Sequence, residues 1–166
     1  MEALGRLFDV VVGSAPADSV AAAITGTRVH LKNAGGCTIL VLTDGGSTDI
    51  LDVDLQQATA ASGGTIGDLD IITHYYLKEA TTFAGSETWS KVTQSAASEI
   101  TNAGSASKQT LLVIEVEATQ LSDGYEWISL NVPDQGTNGT KYTAVLYLLR
   151  DLEVQRAPAN LVNPNA

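Results

Sequence analysis

The stretch TLLVIEVEATQLSDGYEWISLNVPDQGTNGTKYTAVLYLLR, residues 110–150, decides the fold. Over 110–118, Leu112, Ile114 and Val116 share one face while Glu115 and Glu117 take the other, the period of 2 that a half-buried strand requires. The alternation returns over 125–132, with Ile128, Leu130 and Val132 on one face and Trp127, Ser129 and Asn131 on the other. Residues 142–149 are apolar on both faces, with Ala144, Leu146 and Leu148 pointing one way and Val145, Tyr147 and Leu149 the other. Such a strand is central, or covered on both sides by a second layer or a neighbouring subunit. Asp123-Gly124 and Asn138-Gly139 tolerate positive φ at tight reversals, so the three strands are expected to form a meander. The segment 121–125, LSDGY, also fits the corner of a Greek-key sandwich, where a tyrosine hydroxyl bonds to nearby backbone.

Working outward, the same reasoning places strands along the whole chain. The apolar run 7–12 is a first strand or an extended arm that enters one, which Gly13-Ser-Ala-Pro16 breaks, and residues 18–24 could form one or two helical turns capped by Asp18 or Ser19. Residues 27–32 alternate, and 37–43 are apolar on both faces, so the two are expected to pair as a hairpin across Ala34-Gly35-Gly36. Residues 49–57 set Leu51, Val53 and Leu55 against Asp52, Asp54 and Gln56. The small residues of 60–65 make a surface loop, 66–78 return to strand, and 87–94 form a strand anchored by Trp89. Residues 95–109 are small and polar, a long loop. Beyond Arg150, Pro158 and Pro164 exclude helix and favour an extended tail.

These elements define an all-β chain: a single-domain antiparallel β-sandwich or jelly roll of about eight or nine strands. Its expected parts are an N-terminal arm over 1–7, the sandwich over 8–154 and an extended C-terminal arm over 155–166. A chain of 166 residues can bury such a core without disulfides or metal. Cys37, inside an apolar run, reads as a small buried hydrophobe.

Charge and composition narrow the function classes. With a net charge of −10 and no two basic residues adjacent, the chain lacks the cation clusters that bind nucleic acid phosphates or an acidic membrane surface. No apolar run approaches the ~20 residues that span a bilayer. Only 17% of residues are charged, against about 25% in ordinary domains, and Ala, Gly, Ser and Thr take their place. Surfaces of that kind suit an assembly component.

Catalytic constellations are not evident. His30 and His74 lack metal-pair spacing. Asp52 with Asp54 and Asp68 with Asp70 fall short of the ligand number of a calcium loop. The Gly-Gly pairs at 35, 45 and 63 lack the lysine and helix of a phosphate loop, and no G-x-S-x-G elbow occurs. Asn138-Gly-Thr140 matches a glycosylation acceptor but sits where a turn is expected. Neither a catalytic residue nor a cofactor or metal site is assigned.

Five stretches carry a resemblance: RVHLKNA (28–34), LQQATAASGGT (55–65), YYLKEATTFAGSETWSKVTQ (75–94), EATQLSDGYEWISLNV (117–132) and LRDLEVQRAPANL (149–161). In these the chain resembles small structural proteins encoded beside the capsid genes of tailed bacteriophages. The resemblance implies a virion component, a capsid cement or decoration protein made in the host cytoplasm. It would sit on the outer shell as a homo-oligomer, a trimer favoured, with the major capsid protein as partner. A tail, neck or tail-tube component is the alternative. A third reading is a carbohydrate-binding jelly roll, stacking sugars on Trp89, Trp127 and the tyrosines. The residues expected at interfaces are Leu4 and Leu7 in the first arm, Val145, Tyr147 and Leu149 on the outer side of the last strand, and Arg156, Pro158, Leu161 and Val162 in the tail.

Overall fold

The computed structural model describes residues 2–165. Among them are eleven strands in two antiparallel sheets that pack face to face as a β-sandwich. The strands are β1 (Phe8–Asp18), β2 (Val29–His30), β3 (Ala34–Thr43), β4 (Leu51–Ala58), β5 (Ile66–Asp68), β6 (Ile72–Ala80), β7 (Ser90–Ala97), β8 (Glu99–Ala103), β9 (Gln109–Glu117), β10 (Trp127–Asn131) and β11 (Tyr142–Leu152). One sheet runs β1-β11-β3-β9-β6-β7, and the other β2-β10-β4-β5 with β8 also paired to β4.

Period-2 alternation builds the core, as expected. Leu112, Ile114 and Val116 of β9, Cys37, Ile39 and Val41 of β3, and Val145, Tyr147 and Leu149 of β11 face inward from the larger sheet. Leu51, Val53 and Leu55 of β4, with Ile128 and Leu130 of β10, meet them from the smaller one. Burial raises the Cys37 thiol far above its ordinary range, so it is an inert part of this core.

Connectivity departs from the expected meander. Strands β9, β10 and β11 alternate between the sheets, and only β4–β5 and β6–β7 follow each other within one. The turn residues are where they were expected, with Gly124 at φ 83° and Gly139 at φ 86°, but they turn the chain from layer to layer. For the same reason β2 and β3 lie in different sheets and form no hairpin. β1 continues through Gly13 to Asp18, absorbing register shifts at Val12/Ser14 and Ser14/Ala17, and no helix follows it. β8 occupies part of the expected loop.

Tyr147 locks the two layers together. Its hydroxyl accepts a hydrogen bond of 2.9 Å from the Leu130 amide, at a point where β2 has ended and offers β10 no carbonyl. The ring needs backbone without side chains on either side. A Cβ at Gly13 would come within 2.7 Å of the ring, and one at Gly26 would overlap the Leu130 carbonyl. The tyrosine whose hydroxyl engages backbone is therefore Tyr147; Tyr125 lies half-buried beside Gly67.

Candidate interaction surfaces

The expected interface set separates into two groups. Val145, Tyr147 and Leu149 are not on the outer side of β11: they are 0%, 0% and 4% exposed, covered by the second sheet. They are removed from the interface. The outward row of β11 is Tyr142, Ala144, Leu146 and Leu148, the other half of the doubly apolar pattern.

The remaining residues gather at one end of the sandwich. Residues 4–7 form a turn, with the Leu7 amide bonded to the Ala3 carbonyl at 2.8 Å, in place of an extended arm. The tail folds back on its own chain. The Arg156 amide donates to the Gly5 carbonyl at 2.8 Å, and the His30 amide on the β2 edge donates to the Pro164 carbonyl at 2.9 Å. Pro158 opens a one-turn 3-10 helix, Pro158–Asn160, where its fixed φ suits a first position. Leu161 packs inward beside Gly5, while Leu4, Leu7, Val154 and Val162 stay exposed. Between tail and body lies a cavity of about 420 Å³, lined among others by Asp9, His30, Lys32, Leu149, Arg156 and Leu161.

Above that end the two outer faces of the sandwich differ in kind. On the smaller sheet the outward residues of β4 are Asp52, Asp54 and Gln56, and β10 presents Trp127, Ser129 and Asn131. Trp127 is buried there by His30, whose ring stacks on it at 4.3 Å and bonds Glu126 at 3.0 Å. Asp54 lies opposite Glu99 of β8 and near Asp68 of β5. Burial first, then these two carboxylates, raise its pKa above the ordinary carboxylate value. Among the described residues, no group of three or more His, Cys, Asp or Glu side chains could hold a metal ion.

That raised value has a testable sign. The folded chain holds the Asp54 proton more tightly than the unfolded chain, so its favourable contribution is complete below the ordinary carboxylate pKa. It is lost as pH rises through the folded value. Asp54→Asn should therefore stabilise the protein at pH 7 by about 0.5–1 kcal/mol, the scale of a like-charge cross-strand pair, with the gain vanishing near pH 3. Urea unfolding of both proteins at the two pH values checks this.

The larger sheet presents an apolar outer face. Across its strands Val12, Leu146, Leu40 and Val113 stand in one row, and Ala144, Leu42 and Leu111 in the next. Val12, Leu42 and Leu146 are 56%, 50% and 37% exposed. A shallow dimple of about 230 Å³ between Pro16, Leu42, Phe83 and Tyr142 extends the face at its upper end. At the lower end Arg150 bonds Glu115 at 3.3 Å, Asp151 at 2.7 Å and Glu117 at 2.5 Å. At the β6–β7 side Lys78 stands 4.6 Å over the ring of Trp89, which is 48% exposed. An apolar field of this breadth, with charge confined to its margins at Lys78, Glu115 and Arg150, exceeds what scattered surface hydrophobes produce, and it marks a contact surface. The last strand thus has an apolar outer row, but it is the face opposite to the one expected from the sequence.

Compared with models of known families, with curated proteins and with solved structures, the chain matches none of them.

Proposed function

We propose that this protein is a non-enzymatic structural component of a bacteriophage virion, a cement or decoration protein of the outer capsid shell. It works as a homo-oligomer bound to the major capsid protein. The observation that carries the reading is the gathering of both chain ends into one patch. Leu4, Leu7, Arg156, Leu161 and Val162 are expected from sequence to reach a neighbouring chain; Arg156, Leu161 and Val162 line the tail cavity, and Leu4 and Leu7 belong to the turn that the tail meets at Gly5. A β-sandwich with partly exposed apolar side chains clustered at one end has the form of a rigid body with a docking foot. The acidic outer face of the smaller sheet suits the outside of a shell, because packaged DNA would repel it inside.

The foot is testable by particle binding. Capsids lacking the protein should take up purified full-length chain in co-sedimentation and gain resistance to heat. The variant Leu7→Asp with Val162→Asp should keep its melting temperature within about 2 °C, because both sites are exposed, yet lose most of its occupancy. If the variant decorates and protects capsids as the parent does, the foot has no role. If neither protein binds, the cement reading fails.

A further inference from the structure

We infer that the apolar outer face of the larger sheet is where two copies of this chain meet, back to back across a two-fold axis. Two features of the face fit a second copy. The first is its extent: five strands at ~4.8 Å spacing and three outward rows at ~6.7 Å give about 500 Å² per copy. Two faces together then bury about 1,000 Å², the lower limit for a specific interface.

The second feature is the placement of charge. Lys78 of β6 pairs in register with Leu111, in the row of Ala144 and Leu42. Glu115 of β9 pairs with Thr38, opposite Leu148, two residues further along the strands. The row of Leu146, Leu40 and Val113 lies midway between them. A two-fold axis that runs across the strands through this middle row, in the plane between the copies, exchanges the upper row with the lower one. Lys78 of each copy then comes over His74 of β6 in the other, one strand to the side of Glu115, whose carboxylate lies ~4.8 Å away across the sheet and within reach of the long lysine chain. The same axis lays the apolar middle rows on one another and leaves the acidic outer faces of the smaller sheets on opposite outsides, in water. Sheets that pack in this manner are the arrangement by which sandwiches form their own cores.

The pairing does not rest on the virion reading, since it concerns the isolated chain. Sedimentation equilibrium of the full-length protein at tens of micromolar should give a dimer. Leu42→Asp with Leu146→Asp should give a monomer with unchanged circular dichroism and nearly unchanged melting, as both side chains are exposed. Lys78→Glu and Glu115→Lys should each weaken the dimer by about threefold to tenfold, as expected for two symmetry-related exposed ion pairs, and the double reversal should restore it. A parent chain that sediments as a monomer or a trimer overturns the proposal. So does a double reversal that associates no better than either single variant. A dimer that binds no capsid leaves this inference standing and counts against the proposed function alone.

Discussion

Tyr147→Asp should leave no folded protein. The residue is fully buried between the sheets, and its hydroxyl supplies the acceptor that the Leu130 amide otherwise lacks. Aspartate there would place a carboxylate among Cys37, Val145 and the backbone of Gly13 and Gly26, with most of the ring volume empty. Cavity and unpaired charge together exceed about 4–5 kcal/mol, a large part of the total stability of a domain this size. Tyr147→Phe separates the two contributions. It keeps the ring and removes the acceptor, so it should fold with a loss of about 1–3 kcal/mol. Chemical unfolding of the Phe variant and soluble yield of the Asp variant check the pair. An Asp variant that folds and only changes in oligomeric state would return Tyr147 to the outer surface.

Lys141→Glu should be the next most damaging change. Lys141 is 1% exposed at the entry to β11, its backbone held by the Asp18 carboxylate at 3.0 Å and by Ser19. Burial lowers its pKa, while Asp44, Asp49 and Asp52 oppose that shift. The ammonium thus lies in the field of three aspartates of the loops at this end of the sandwich, with burial the larger influence on it. Reversing it puts a carboxylate at a buried position near three partly exposed ones, uncompensated by any cation, for a loss of about 3–5 kcal/mol. At this chain length the melting temperature should fall by roughly 8–15 °C. Lys141→Met keeps the apolar stem and should stay within about 1.5 kcal/mol of the parent. Equal melting temperatures for the Glu and Met variants would show that the charge has no such role.

Much of the fold was legible because half-buried strands write their orientation into the chain. Glu115 and Glu117 set against Ile114 and Val116, or Asp52 and Asp54 set against Val53, leave one choice of inner face. β11 leaves two. Its rows are equally apolar, and what selects Val145, Tyr147 and Leu149 for the interior is remote in sequence: the bare backbone at Gly13 and Gly26 and the unpaired amide of Leu130. Layer changes are hidden for a similar reason. Asp123-Gly124 reports that the chain turns but not whether the next strand lies beside the last or beneath it. The apolar residues of the two ends signal a need for contacts, and within this chain the ends bond to it through the Gly5 and Pro164 carbonyls. Low charge was visible in the composition, whereas its concentration on one sheet face appears only once β1, β11, β3 and β9 lie side by side.

The proposed place of this chain on the outside of a phage head can be tested in the particle itself. The most direct test is to locate and count this chain in intact purified particles, by image reconstruction together with quantitative mass spectrometry. Hundreds of copies in a regular array on the outer shell are expected, each touching the capsid protein through the end that carries Leu7, Leu161 and Val162. Six or twelve copies in a ring at the neck or tail, or no copies in the particle, would contradict this placement.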